Sequence, residues 1–130
     1  IENGILKTYL LDTYAARKLK SKCTGNGVLT NILVSSKEPV SNLLKTMKDG
    51  LYITDMMGSG ANLLTGDYSR GAFGYLVKDG EIQYPVTEIT VASNLLQMFE
   101  NIISIGDDID KRNRIRTGSM LIDNITIGGT

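Results

Sequence analysis

The run Ala72-Phe73-Gly74-Tyr75-Leu76-Val77-Lys78-Asp79-Gly80-Glu81-Ile82-Gln83-Tyr84-Pro85-Val86 decides the fold class. Two stretches rich in β-branched and aromatic residues flank Asp79-Gly80, a dipeptide suited to the positive φ angles of a type I′ turn. The sequence therefore reads as an antiparallel hairpin, with Ala72 to Lys78 going out and Glu81 to Val86 coming back. Phe73, Tyr75 and Val77 alternate on one side of the outgoing strand. Ile82, Tyr84 and Val86 do the same on the returning one. Pro85 has no N–H to give a ladder, so it marks an edge, a bulge or an unpaired position. Ile89 to Ala92 prolongs the returning strand.

Strand character continues outward from the hairpin. It recurs at Val28 to Val34, at Leu51 to Met56 and at Thr117 to Ile127, the last with a bend at Asp123-Asn124. Asn3-Gly4 is a second hairpin signal, followed by a strand from Ile5 to Leu10. The partner of that strand would precede Ile1, and the first residue is not Met, so the chain reads as one cut in mid-hairpin. Helical signal is modest. Asp12 or Thr13 caps a helix to about Lys20, with Leu11, Ala15, Ala16 and Leu19 on one side. Pro39 and Ser41 open another that carries Leu43, Leu44 and Met47, with Gly50 placed to end it. Ser93 starts a third, whose stripe of Leu95, Leu96, Phe99, Ile102 and Ile103 reads as core packing up to a stop at Gly106. The sum is an α+β, mainly β fold: an antiparallel sheet or barrel-like domain with two or three short helices, spanning residues 1–130 as a single domain.

Composition excludes several classes of chemistry. The 130 residues hold 14 Lys+Arg and 14 Asp+Glu, a formal net charge of zero, with 42% apolar residues. This is the balance of a globular domain with a real core, and it argues against a dedicated binder of nucleic acid or anionic membrane. There is no histidine, so a Ser-His-Asp or Cys-His nucleophile, a His base and a His-ligated zinc cannot be built from this chain. The single cysteine, Cys23, excludes an internal disulfide and a four-cysteine metal site, and fits a cytoplasmic protein. No apolar run approaches the roughly 20 residues that span a bilayer.

The local motifs give little chemistry of their own. Gly58-Ser59-Gly60 has Leu63 where a dinucleotide fingerprint needs glycine, and Gly-Lys-Ser/Thr is nowhere in the chain, so it reads as a tight or flexible loop. Thr65-Gly66-Asp67-Tyr68-Ser69-Arg70-Gly71 is the densest stretch of functional side chains, and Asp67 could cap, bind a cation or pair with Arg70. Ser69 lacks both the glycine of a nucleophile elbow and a histidine, so the stretch reads first as loop architecture. Asp107, Asp108 and Asp110 lack EF-hand spacing, and with Lys111, Arg112, Arg114 and Arg116 they read as a self-neutralising loop. Arg17, Lys18, Lys20 and Lys22 read as an exposed helix face. Lys20 and Lys22 lie near Cys23, but without a histidine base it is no catalyst. Asn124-Ile125-Thr126 is a glycosylation sequon by pattern only.

Several blocks in one order carry more information than any of these motifs. Ile1-Glu2-Asn3-Gly4-Ile5-Leu6 is followed by Tyr9-Leu10-Leu11-Asp12-Thr13-Tyr14-Ala15-Ala16-Arg17-Lys18 and Thr24-Gly25-Asn26. Then come Gly50-Leu51-Tyr52-Ile53-Thr54-Asp55-Met56-Met57-Gly58-Ser59-Gly60, the Thr65 to Gly71 stretch, Gly80-Glu81-Ile82-Gln83-Tyr84-Pro85-Val86 and the closing Asp123-Asn124-Ile125-Thr126-Ile127-Gly128-Gly129. Over its whole length the chain resembles the C-terminal domain of the TldD/PmbA family, in its PmbA (TldE) branch. Family chains are several-fold longer, which agrees with the cut hairpin.

The resemblance implies a cytoplasmic, heteromeric zinc metalloprotease acting on unfolded peptides, in microcin maturation and antitoxin turnover, with the older label of modulator of DNA gyrase. In the family the TldD subunit carries a His-Glu-x-x-x-His helix, and a Cys near the C-terminus completes its metal site. This chain has no Cys between Asp107 and Gly118, and Thr117-Gly118 stand where the metal-bearing loop would lead into the final strand. The role implied is therefore that of a non-catalytic PmbA-type subunit, with zinc expected in the partner TldD-type subunit. The alternatives are a catalytic chain with its metal ligands upstream, and an assembly module with no proteolytic link. Expected partners are a TldD-like subunit or further copies of the chain, and an unfolded peptide, with no nucleic acid and no membrane. Thr65, Gly66, Asp67, Ser69, Arg70 and Gly71 are the expected groove or interface residues.

Overall fold

The computed structural model describes residues 5–25, 32–34 and 36–129. The expected Asn3-Gly4 turn and the start of the strand expected from Val28 lie outside the described residues. The helices are α1 (Thr13–Lys18), α2 (Val40–Met47) and α3 (Leu95–Glu100). The strands are β1 (Ile32–Leu33), β2 (Gly50–Met57), β3 (Asp67–Lys78), β4 (Glu81–Asn94), β5 (Ile102–Ile105), β6 (Ile115–Arg116), β7 (Met120–Ile122) and β8 (Thr126–Gly128). The chain divides into two compact units, Ile1–Val34 with Lys111–Arg116, and Ser35–Asp110 with Thr117–Thr130.

In the first unit, α1 starts where a carboxylate meets free amides: Asp12 Oδ1 accepts from the Ala15 N–H at 2.7 Å. The helix is shorter than the sequence suggests, because Lys20 takes a left-handed φ of 50°. Ile5 to Leu10 forms no regular strand. Its end is tied instead by Thr24, whose hydroxyl donates to Tyr9 O at 3.0 Å and accepts from the Leu11 N–H at 2.9 Å. β1 pairs with β6 in parallel, a direction the hairpin-based reading did not include.

The second unit is organised by the expected hairpin. Asp79 and Gly80 have φ of 53° and 78°, as a type I′ turn requires, and Lys78 pairs with Glu81. β4 has 14 residues against 12 in β3. The two extra residues are taken up where the register slips, between Val77↔Ile82 and Tyr75↔Pro85 and between Gly74↔Val86 and Ala72↔Ile89. Pro85 thus sits beside a bulge, and Glu88, with φ 56°, lies within the other. The irregular register also breaks the expected alternation: Val77 is 1% exposed while Tyr75 is 38% exposed.

The sheet order is β2-β3-β4-β8, so the sheet ends at β2 and β8 and is not a closed barrel. Its core is Ala72, Ile89 and Val91, with Leu51, Ile53, Met56, Val86 and Ile125 packed against them. The predominance of antiparallel strands with short helices is the expected fold class.

Two helix boundaries depart from expectation. α2 ends at Lys48, whose φ is 63°, and Gly50 already opens β2 opposite Val77. α3 ends at Glu100, because the β-branched Ile102 and Ile103 enter β5, where Ile102 pairs with Ile122. The anticipated core stripe is therefore split, and Leu96, Phe99 and Ile103 lie on the surface. The bend at Asp123-Asn124 is present: Asn124 has φ 54° and separates β7, paired with β5, from β8, paired with β4. The chain leaves the second unit after Asp110 and re-enters it at Thr117. That neck is fastened by Asp110 N–H to Thr117 O at 3.3 Å and Gly106 N–H to Ser119 O at 2.7 Å. No helix among the described residues is long and apolar enough to cross a membrane.

Candidate functional site

The six expected residues do not form one loop. Thr65 and Gly66 end a turn in which Asn62 Oδ1 accepts from the Leu64 N–H at 3.0 Å and Asn62 O accepts from the Gly66 N–H at 2.7 Å. Gly66 has φ 81°, a left-handed conformation that suits glycine. Asp67, Ser69, Arg70 and Gly71 belong to β3 and pair with β4 from Asp67↔Asn94 to Gly71↔Thr90. The loop reading of this stretch is therefore corrected. The Gly/Asp/Ser composition that suggests a turn is overridden by pairing with the long β4.

The turn is held against the start of α3. Asn94 Nδ2 donates to Thr65 O at 3.1 Å, and the Leu95 N–H donates to Gly66 O at 2.7 Å. Asn94 Oδ1 meanwhile accepts from the Leu96 N–H at 3.0 Å and caps that helix. Asp67 and Arg70, three residues apart on one strand, serve different partners. Asp67 Oδ2 accepts from the Thr65 hydroxyl at 2.6 Å. Arg70 Nη2 donates to Met56 O at 2.9 Å, and its Nε donates to Met57 O at 3.3 Å. The guanidinium thus secures the end of β2.

Arg70 also lines a concavity of the second unit, about 580 Å³ in volume. Helix α2, strand β2 and the Ser119–Ile122 segment wall it, and four of the five methionines, Met47, Met56, Met98 and Met120, line it. The Tyr68 hydroxyl donates to Met56 Sδ at 2.8 Å and fixes one of them. Unbranched thioethers repack around irregular apolar shapes, so this wall accepts side chains of varied form. Asp55 and Thr54 add polar groups to its lining. Asp67 and Ser69 line a separate, smaller depression with Ser59 to Asn62. The methionines were missed in the sequence because positions 47, 56, 98 and 120 share no period; they come together only through α2, α3 and the strand pairing.

The donor set does not fit a zinc site. The chain has no histidine, and among the described residues no three His, Cys, Asp or Glu side chains are grouped to hold a metal. Cys23 is exposed, with Sγ 3.5 Å from Leu11 O and 3.4 Å from Gly25 N.

Comparison with known proteins places the chain in a family. The sequence profile of the PmbA/TldA metallopeptidase C-terminal domain matches residues 1–129. A metalloprotease PmbA homolog of Buchnera aphidicola subsp. Baizongia pistaciae is 52% identical over 99% of this chain and 30% of its own length. The metalloprotease PmbA of Escherichia coli O157:H7 is 47% identical over 99% of this chain and 29% of its own. A crystal structure from Thermotoga maritima, described as a modulator of a DNA gyrase, superimposes with a TM-score of 0.87 at 33% identity, over 98% of this chain and 32% of that one. The chain thus spans about 30% of the length of the relatives it matches. A family match over residues 1–129, about half of the positions identical in relatives aligned over nearly the whole chain, and the same fold over that span make this chain a member of the PmbA/TldA metallopeptidase family, matching its C-terminal domain.

Proposed function

We propose that this chain is the C-terminal part of a PmbA (TldE)-type subunit of a cytoplasmic TldD–TldE zinc metalloprotease. In this reading the subunit is non-catalytic and contributes to assembly and to holding an unfolded peptide. The observation that carries the reading is the methionine-lined groove beside β2, the end strand of its sheet, in a chain with no histidine and no zinc donor set among the described residues. An edge strand offers unpaired backbone groups to an extended chain, and main-chain bonding carries little sequence preference. The methionines supply apolar contacts that adapt to different side chains. No hydrolytic step is assigned to residues of this chain; water activation belongs to the zinc expected in the TldD-type partner.

The test is the zinc content of the full-length parent, purified alone without chelators, followed by reconstitution with a TldD-type subunit. The reading expects no bound zinc, and proteolysis only when both subunits are present. About one zinc per chain, the stoichiometry of a mononuclear catalytic site, would make the parent itself the protease. Undiminished proteolysis without this subunit would leave the chain an assembly module only.

A further inference from the structure

The groove beside β2 is bordered by the end strands of two sheets. Leu51 to Met56 line it without a break, and so do Ser119 to Ile122, which include β7. Successive strand side chains point to opposite faces, so an unbroken run follows the edge of a strand and not one face. β2 and β7 therefore both turn an edge toward the groove. The edge of β2 has a definite stop. Met56 has its N–H held by Asp55 Oδ1 at 2.8 Å and its carbonyl held by Arg70 Nη2 at 2.9 Å, so it offers nothing to an added strand. The open length runs from Gly50 to Asp55.

The groove continues past the start of β2. A second concavity of about 360 Å³ shares Met47, Leu51, Ile53, Leu121 and Ile125 with the first and adds Asp49 and Asp123. An apolar middle is thus bounded by Asp49 and Asp123 at one end and by Asp55 at the other. Asp49 and Asp55 are exposed. Each spends Oδ1 on a backbone N–H, that of Asp79 at 3.0 Å and that of Met56, which leaves a second oxygen for another donor. Among the described lining residues Arg70 is the one cation, and its Nη2 and Nε are taken by the Met56 and Met57 carbonyls. The surrounding unit, Ser35–Asp110 with Thr117–Thr130, holds five Lys and Arg against twelve Asp and Glu, a formal −7. The groove is therefore apolar along its length and negative at both ends.

We propose that the groove selects extended peptide segments in which an apolar stretch is flanked by two Lys or Arg residues about six positions apart. Asp49, just before β2, and Asp55 are six residues apart. That is roughly 20 Å of extended chain, and a ligand lying alongside advances by the same rise per residue. The methionine wall tolerates side chains of varied shape in the middle. The carboxylates choose the sign of charge at the ends, and the stop at Met56 sets the register. An acidic segment meets repulsion at both ends. The inference rests on the peptide-holding reading of the groove and adds the class of segment held.

The experiment is fluorescence anisotropy of labelled peptides titrated with the full-length parent, purified alone. All peptides share one apolar stretch. They carry flanking Lys pairs six apart, flanking Glu or Ser pairs at the same spacing, or a Lys pair three apart. The Lys pair at the longer spacing should bind roughly tenfold tighter than the Glu pair, with Ser between, and its advantage should shrink as salt is raised. In the double variant Asp49→Asn, Asp55→Asn the ratio of Lys to Glu affinities should fall to near one. Asparagine keeps an acceptor oxygen for the Asp79 and Met56 amides, so these bonds persist. Equal binding of Lys and Glu peptides to the wild type overturns the proposal, and so does equal binding at both Lys spacings. A Lys preference that survives the double variant overturns it too, because the selecting charges then lie elsewhere on the acidic unit. Binding of none of the peptides overturns it in favour of a groove filled by the parent's own upstream chain. The assay involves no proteolysis. A parent that shows the charge preference yet never supports cleavage defeats the protease-subunit reading alone, and one that supports cleavage without the preference defeats this inference alone.

Discussion

The carboxylate of Asp108 grips Ser119 twice, accepting from its backbone N–H at 2.8 Å and from its hydroxyl at 2.7 Å. This clasp closes the neck through which the Lys111–Arg116 excursion leaves and re-enters the second unit. Gly118 makes the approach possible, since a Cβ there would meet the Gly106 carbonyl oxygen and lie 2.7 Å from Asp108 Oδ1. Partial burial raises the Asp108 carboxyl, but the bonds from the Ser119 hydroxyl and amide, with its own amide, outweigh it and hold the group below the usual carboxylate range. A depressed folded pKa means a contribution to stability that is present above the unfolded value, about 3.9, and lost as pH falls through the folded value. Asp108→Asn should cost about 1 kcal/mol near neutrality, a low figure for bonds to a charged group because the carboxylate faces solvent. In denaturant melts the gap between wild type and variant should narrow below about pH 4. A gap independent of pH would mean that the clasp acts through shape alone.

The type I′ turn predicts an asymmetry between its two residues. Asp79→Asn should be nearly neutral, because asparagine tolerates the left-handed φ of 53°. Gly80→Ala should cost about 1–2 kcal/mol, from a left-handed φ of 78°. Crowding adds to this, since the new Cβ would lie 3.0 Å from Lys45 Cα in α2. The turn is docked there by Asp79 N–H to Asp49 Oδ1 at 3.0 Å and Gly80 N–H to Lys48 O at 2.8 Å. Equal losses for both variants in urea titration would show that φ is not what the turn selects.

Val77 is the largest side chain below 2% exposure among the described residues, and it stands between Gly50 of β2 and Ile82 of β4. Val77→Ala should cost roughly 2 kcal/mol from lost burial and an unfilled cavity. Tyr75→Ala, two residues away but on the exposed side of the bulge, should cost well under that. Comparable losses at the two positions would contradict the register observed.

Two features of the fold were legible because short-range chemistry fixes them. Asp79-Gly80 admits few conformations other than its turn, and Asp12 is placed to cap α1. What escaped depends on partners distant in sequence. Ile102 and Ile103 continue a helical apolar spacing, and only their pairing with β7 turns them into strand. The bulges opposite Tyr75 and Ala72 follow from matching 14 residues to 12, which no local pattern records. Arg70 shows the same limit at the candidate site. The sequence offered it as a pair for Asp67 and as a groove or interface residue, whereas its bonds go to Met56 and Met57 carbonyls thirteen or more positions away.

Asp67 and Arg70 separate a binding role from a structural one. Asp67→Ala loses a single exposed bond with Thr65 and should change stability by less than about 0.5 kcal/mol. Arg70→Ala removes two bonds to β2 carbonyls and should cost about 1 kcal/mol or slightly more. Both should weaken complex formation or peptide cleavage in the reconstituted protease while the domain stays folded. Full activity in both variants would remove the Thr65 to Gly71 segment from peptide holding and assembly.

The methionines give the sharpest test of how a groove without sequence preference works. Met47, Met98 and Met120 wall the 580 Å³ concavity, and volume-conserving Met→Leu changes there should cost less than about 1.5 kcal/mol each. Leucine is branched and stiffer, so the wall keeps its polarity and loses its ability to repack. A triple Met→Leu variant should therefore retain stability, still cleave the peptides whose side chains fit its one remaining shape, and lose the others. The measurement is the spread of kcat/KM over a panel of unfolded peptides in the reconstituted protease, which should widen relative to wild type. A uniform fall across the panel would point to lost affinity without lost plasticity. An unchanged spread would place peptide contact elsewhere, and the adaptable wall would then serve packing against another subunit.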